Sequence, residues 1–151
     1  MKSIKFAENY QMARILAIDY GRKRVGIAVT DELQITSNGL TTVNAKEALG
    51  FITDYCKKEQ VEIIVVGDPR QMDNSLSESA RYIEPFLGTL KKALPDIPID
   101  RMDERFTSKL AFQAMIDGGL KQKARRNKAL VDQISATIIL QSYLESKNQQ
   151  K

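Results

Sequence analysis

Histidine is absent from this sequence, and cysteine occurs once, at Cys56. The first absence excludes Ser/His and Cys/His triads, histidine metal sites and histidine acid–base chemistry together. The lone cysteine cannot form an intrachain bridge, so the chain suits a reducing compartment and Cys56 reads as a core or half-buried thiol. No apolar run is long enough to span a bilayer, and the N-terminus lacks the apolar segment of a secretory signal, so a cytoplasmic protein with no membrane partner is expected. Charge excess is also small, at +4 over 151 residues with pI near 9.2, and its placement says more than its sum. One basic cluster is Arg22-Lys23-Arg24; the other is Lys121, Lys123, Arg125, Arg126 and Lys128, after Gly118-Gly119. Two clusters converging on one site imply a polyanionic partner, although ordinary surface helices produce similar patterns.

The length fits one domain with a substantial core. Residues 1–12 are polar and without clear periodicity, and Met12 offers an alternative start, so they read as an extension. Residues 13–146 form the expected single domain, and 147–151 read as a disordered tail.

Within that domain, Asp19 closes the apolar run Ile15-Leu16-Ala17-Ile18 and precedes the turn Tyr20-Gly21-Arg22-Lys23-Arg24 and a second run, Val25 to Val29. Hydrophobic residues on both parities predict a strand covered on both faces, followed by a hairpin. A carboxylate at the end of such a strand suits coordination of a hard cation; a turn-forming Asp bonded to nearby amides is the competing reading.

Gly39 to Val43 predicts a third short strand, completing a meander, and Asn44 with Glu47 has the form of a capping box before a helix through Tyr55 and Cys56. Val61 to Gly67 is a strongly apolar strand whose place after a crossover helix implies parallel pairing with an earlier strand, with Asp68-Pro69 breaking it. Ser75 and Glu78 resemble a second capping box before a helix through Leu94 that Pro85 and Gly88 should bend. Ile97 to Met102, with its proline, suits a sheet edge and delivers Asp103-Glu104-Arg105 to its end. A helix from Thr107 or Ser108 stops at Gly118-Gly119, and Asn127 to Leu144 forms a final helix whose widely spread apolar residues predict packing inside the domain.

Asp132 interrupts that last helix. Burying an unpaired carboxylate costs several kcal/mol, so a partner is required: Lys128 one turn earlier, or a metal ion. The acids of Asp103-Glu104 could simply complement a helix dipole. Taken together, carboxylates at one strand end, another strand end and a final helix describe a recurring nuclease arrangement. Such a cluster holds one or two Mg²⁺ or Mn²⁺ ions, which activate water and stabilise charge on a scissile phosphate.

The ordered motifs Ile15-Leu-Ala-Ile-Asp19-Tyr-Gly21-Arg-Lys-Arg-Val-Gly26, Ile64-Val-Val-Gly67-Asp-Pro69, Asp103-Glu104-Arg105-Phe-Thr107-Ser and Lys128-Ala-Leu-Val-Asp132-Gln-Ile-Ser-Ala136 resemble the YqgF/RuvX family from about Ala13 to Leu144. Members of that family are assigned as Holliday junction resolvases or pre-16S rRNA nucleases. The resemblance implies an α/β, RNase H-like fold: a five-stranded mixed sheet, three antiparallel strands plus two parallel, flanked by helices. It also implies a bacterial cytoplasmic hydrolase that trims the 5′ end of pre-16S ribosomal RNA. Carried over by motif, Asp19, Glu104 and Asp132 form the metal-binding catalytic set, Asp103 is the alternative to Glu104, and Arg105 contacts phosphate. Compared with RuvC-type resolvases, Gly67 stands in place of a glutamate and Ser135 in place of a second aspartate, which puts a second metal in doubt.

The expected activity is therefore a metal-dependent phosphodiesterase on precursor rRNA, with Arg22, Lys23, Arg24, Arg105, Lys121, Lys123, Arg125, Arg126 and Lys128 as the cations that grip nucleic acid. Branched DNA is the alternative substrate, for which a homodimer would be expected; a monomer or a homodimer suits RNA. A catalytically silent nucleic-acid-binding factor is a second alternative. An actin-like ATPase ranks last, because its cleft needs two lobes.

Overall fold

The computed structural model describes residues 13–68, 80–103 and 128–149. In chain order they form β1 (Arg14–Tyr20), β2 (Arg24–Thr30), β3 (Ser37–Asn44), α1 (Ala45–Lys58), β4 (Val61–Asp68), α2 (Ala80–Ala93), β5 (Ile99–Asp103) and α3 (Lys128–Gln149). The expected helix from Thr107 and the capping residues Ser75 and Glu78 lie outside the described residues.

One five-stranded sheet runs in the order β3-β2-β1-β4-β5. The first three strands are antiparallel neighbours, while β4 pairs parallel with β1 and β5 parallel with β4. The expected mixed sheet is thus present, with the proline-preceded strand at an edge. Parallel pairing has a positional consequence: β1, β4 and β5 all run to the same end of the sheet, where Asp19, Asp68 and Asp103 stand.

Period-2 alternation divides the side chains of the central strands between two layers. Leu16, Ile18, Val25, Ile27, Ile64 and Val66 face α1 and α2, where Ala48, Ile52, Ile83, Phe86, Leu87 and Leu90 complete the larger core. Ile15, Ala17, Ala28 and Val65 face α3, meeting Ala136, Ile139, Leu140 and Leu144. Removing apolar surface on both faces is what stabilises continuous hydrophobic strands of this kind.

Local boundaries differ from expectation for identifiable reasons. β3 is longer than Gly39–Val43 because its ladder with β2 runs from Thr30↔Ser37 to Arg24↔Asn44. Asn44 precedes α1, yet its side chain makes no capping hydrogen bond. It still belongs to the β3 ladder, opposite Arg24, so the expected cap from Asn44 is not formed, and the N–H of Ala45 donates to the carbonyl of Lys23 at 2.9 Å. β4 continues one residue past Gly67 because Asp68 pairs with Asp103. β5 starts at Ile99, the carbonyl of Pro98 accepting the amide of Ile64 at 3.0 Å. α2 runs unbroken through Pro85, whose carbonyl accepts the Thr89 hydroxyl at 2.7 Å.

The final helix corrects two expectations. It continues through Gln149, into the segment read as a disordered tail, where Lys147 pairs with Glu62 at 3.6 Å. A turn earlier the Tyr143 hydroxyl donates to Asp100 at 2.5 Å, tying the helix to the edge strand; burial first, then that carboxylate, raises the Tyr143 pKa. The helix is not interior all round, since its fully buried residues form the stripe Ala136, Ile139, Leu140 and Leu144, while Val131, Ile134 and Ile138 are half-buried.

Cys56 is half-buried on α1, and burial pushes its thiol up to about 11. The thiolate is the nucleophile, so alkylation of the native protein should be slow at neutral pH and accelerate about tenfold per pH unit towards that value. A rate that levels off near pH 9.0, the ordinary thiol value, would show instead that the fold leaves Cys56 unperturbed.

Candidate active site

Two glycines let the last helix settle onto the sheet. A Cβ on Gly26 would lie 2.1 Å from the backbone oxygen of Asp132, and one on Gly39 would lie 2.5 Å from the side-chain amide nitrogen of Gln133. At Gly26 the obstacle is backbone, so no other residue type leaves room for this approach, whereas at Gly39 the Gln133 side chain would have to shift. The Ser37 hydroxyl adds a hydrogen bond to the carbonyl of Thr137 at 2.8 Å, so the N-terminal half of α3 is anchored on both β2 and β3.

This contact brings remote carboxylates together. Asp19 lies on β1 with the parity of Ile15 and Ala17, the α3 side, and its cross-strand partner is Gly26. Directly opposed residues in an antiparallel pair have Cβ positions about 5 Å apart. The Cβ position of Gly26 is in turn occupied by the backbone of Asp132. Asp19 is therefore one cross-strand step from Asp132, although 113 positions separate them (132 − 19). Asp19 is half-buried and sits within the β1 ladder, one residue before its end.

Arg24 completes the group. It shares the face of Gly26 two residues away, and its Nε donates to Oδ2 of Asp132 at 2.9 Å. The partner that Asp132 requires is thus supplied by the hairpin, a pairing invisible to local spacing because it spans 108 positions. The turn itself is pinned by the Gly21 amide donating to the Arg24 carbonyl at 2.9 Å, and a Cβ on Gly21 would meet that oxygen at 2.7 Å.

The three cations of the hairpin consequently do different things. Arg24 is half-buried and turned to Asp132, whereas Arg22 and Lys23 are exposed. The Arg22 guanidinium lies 5.5 Å from the centre of the Tyr82 ring on α2, and beneath it Tyr20 stacks on Phe86 at 4.6 Å. Arg22 and Lys23, with Asn44, Lys46 and Glu47 at the start of α1, line a cleft of their own.

Asp103 ends β5 with the parity of Arg101, which pairs with Glu84 of α2. Met102, one residue earlier, packs in the α3-side cluster. Asp103 therefore stands on the parity opposite to that of Asp19. Glu104, Arg105, Lys121, Lys123, Arg125 and Arg126 lie outside the described residues, and Lys128 is placed only as the first residue of α3. Among the described residues no three carboxylate or thiol groups form a metal-binding cluster; Asp19 and Asp132 are the two described members of the expected set.

Comparison with known proteins places this geometry. Residues 13–146 match the model of the family described as RuvX: Holliday junction resolvase. The chain belongs to the RuvX family. A relative from Phocaeicola vulgatus, bearing the name "Putative pre-16S rRNA nuclease", is 66% identical over 136 residues, covering 90% of this chain and 98% of its own. A relative of the same name from Bacteroides fragilis is 63% identical over 136 residues, covering 90% of this chain and 99% of its own. Among solved structures, Thermus thermophilus RuvC in complex with a Holliday junction substrate superposes with a TM-score of 0.52 at 20% identity, over 84% of this chain and 91% of that one. This last likeness supports the RNase H-like fold of the RuvX chain. No described helix is long and apolar enough to cross a membrane.

Proposed function

We propose that this RuvX chain is a metal-dependent nuclease that processes the 5′ end of pre-16S ribosomal RNA, with Asp19, Glu104 and Asp132 as its catalytic carboxylates. The observation that carries the reading is the seat of α3 on Gly26, which brings Asp132 to Asp19. A fold needing only helix-to-sheet packing has no reason to concentrate acids there. Of the adjacent acids at and after the end of β5, we assign Glu104 from the motif Asp103-Glu104-Arg105, because the described alternative, Asp103, has the parity opposite to that of Asp19. The names borne by the close relatives supply the substrate class.

The donor set is hard oxygen, which fits Mg²⁺ or Mn²⁺. Such an ion would be held by Asp19, Glu104 and Asp132, and would lower the pKa of a water and offset charge on the phosphate. The residues of the chain position the substrate around it. Arg22 and Lys23 line the cleft at the start of α1 and would take backbone phosphates there, with Arg105, Lys121, Lys123, Arg125, Arg126 and Lys128 as the proposed second grip. No side-chain nucleophile is required.

The test is a cleavage panel with Mg²⁺ and Mn²⁺ on precursor rRNA ends, generic single strands and a four-way DNA junction. Metal-dependent trimming of the precursor end, abolished by Asp132→Asn with binding retained, is the expected result. Preference for the junction would support the resolvase reading that the family description carries. Binding of all three without any turnover would leave a silent nucleic-acid-binding factor.

A further inference from the structure

We infer that Tyr82 and Arg22 form a stacking platform for an unpaired nucleotide, with the cleft that Arg22 lines taking the backbone of the same strand. This rests on the nucleic-acid reading above and narrows the ligand of that surface to a single-stranded segment. Its basis is Tyr82 on α2, which is 42% exposed and has the Arg22 guanidinium 5.5 Å from its ring centre. Three large apolar side chains are exposed among the described residues, and the other two, Leu33 and Ile35, follow β2 at the opposite end of the sheet. Of the three, Tyr82 alone offers a π face, and a cation already lies over it. The ring is not what holds this turn of α2 to the sheet: Ile83 and Phe86 do that, with Phe86 stacked on Tyr20 at 4.6 Å.

Arg22 joins this ring to a cationic cleft. With Lys23 of the hairpin and Lys46 and Glu47 in the first turn of α1 it lines a space of about 390 Å³, three cations against one carboxylate. That volume is at the lower end of the range for ligand clefts and fits one sugar–phosphate unit. Positive charge attracts any nucleic acid, but the ring adds a selection. A base inside a duplex is stacked between its neighbours, whereas an unpaired base is free to lie on an aromatic ring or a guanidinium plane. A guanidinium resting over a tyrosine presents both surfaces in one place. The location suits the proposed reaction, since the hairpin lies at the end of the sheet to which β1 runs, and its third cation, Arg24, is turned to Asp132. One hairpin thus links the strand grip to a proposed catalytic carboxylate.

The experiment measures the affinity of the full-length protein for a fluorescein-labelled oligoadenylate, as a single strand and as its duplex with oligouridylate, with EDTA present so that cleavage plays no part. The wild type should prefer the single strand. Tyr82→Leu should weaken single-strand binding roughly 5- to 100-fold and leave duplex binding unchanged, while Tyr82→Phe keeps the ring and with it the wild-type affinity. Lys46→Gln should lower the salt slope of single-strand binding by about 0.7, the mark of one lost phosphate contact. Unaltered single-strand affinity in Tyr82→Leu overturns the platform, and so does an equal loss for strand and duplex, which would make the ring a support of the fold. An unchanged salt slope in Lys46→Gln overturns the role of the cleft. No binding of either nucleic acid by the wild type overturns the nucleic-acid reading and this inference with it.

Discussion

Asp19→Asn should leave a folded protein that binds precursor RNA and cuts it about 10³-fold more slowly, the loss of roughly 4 kcal/mol of transition-state stabilisation. The substitution keeps shape and removes charge. Packing around Ile15 and Ala17 is untouched, so the melting temperature should move by no more than a few degrees. Asp19 pairs with Gly26, on which the backbone of Asp132 rests, and the substitution takes one charged oxygen ligand from the proposed site without disturbing that seat. Stability retained with activity lost is the signature of a ligand residue rather than a structural one. Equal cutting rates for the variant and the wild type would end the site assignment.

Gly26→Ala should be damaging in both respects. The added methyl would sit 2.1 Å from the Asp132 carbonyl oxygen, a rigid backbone atom in the first turns of a helix, so α3 must move. Overpacking of this kind costs about 1–3 kcal/mol, a fall of roughly 3–10 °C in melting temperature for a domain this size. The displaced helix carries the proposed catalytic carboxylate of Asp132 with it, and a misplacement near 1 Å lowers turnover about 100-fold. Gly50→Ala is the control: it lies within α1 with nothing inside 4 Å of its Cβ position, so it should stabilise by about 0.5–1 kcal/mol and leave cleavage alone. A Gly26→Ala protein with native stability and activity would mean that α3 does not depend on the glycine for its seat.

The strands and their order were legible because two-sided burial writes an unmistakable pattern, as in Ile15 to Ile18 and Ile63 to Val66. Asp19 and Asp132 stood out for the complementary reason, as charges interrupting apolar segments. The role of Gly26 was harder to read. A glycine in a strand is compatible with a bulge, a bend or a close approach, and only the position of a helix more than a hundred residues later decides among them. Arg24 was misjudged in kind: three consecutive basic residues look like one patch, but strand alternation turns the third inward to Asp132. Asn44 and Glu47 carried a genuine capping signature that lost to the ladder, because Asn44 is still paired with Arg24 as the last residue of β3. The polar tail was read as frayed, since a single Lys147–Glu62 pair leaves no mark on local composition.

The hydrogen bond across 108 positions also sets when the site can come into being. Asp19 and the whole antiparallel ribbon are synthesised first, but Asp132 arrives on the last described element, and non-local contacts of this separation form late and slowly. A chain interrupted before residue 128 lacks both the lid over Ala17, Ala28 and Val65 and one of the two described carboxylates. The protein thus keeps its proposed cutting centre unassembled throughout most of its own translation, and a nascent chain still held by the ribosome would be inert towards the RNA around it.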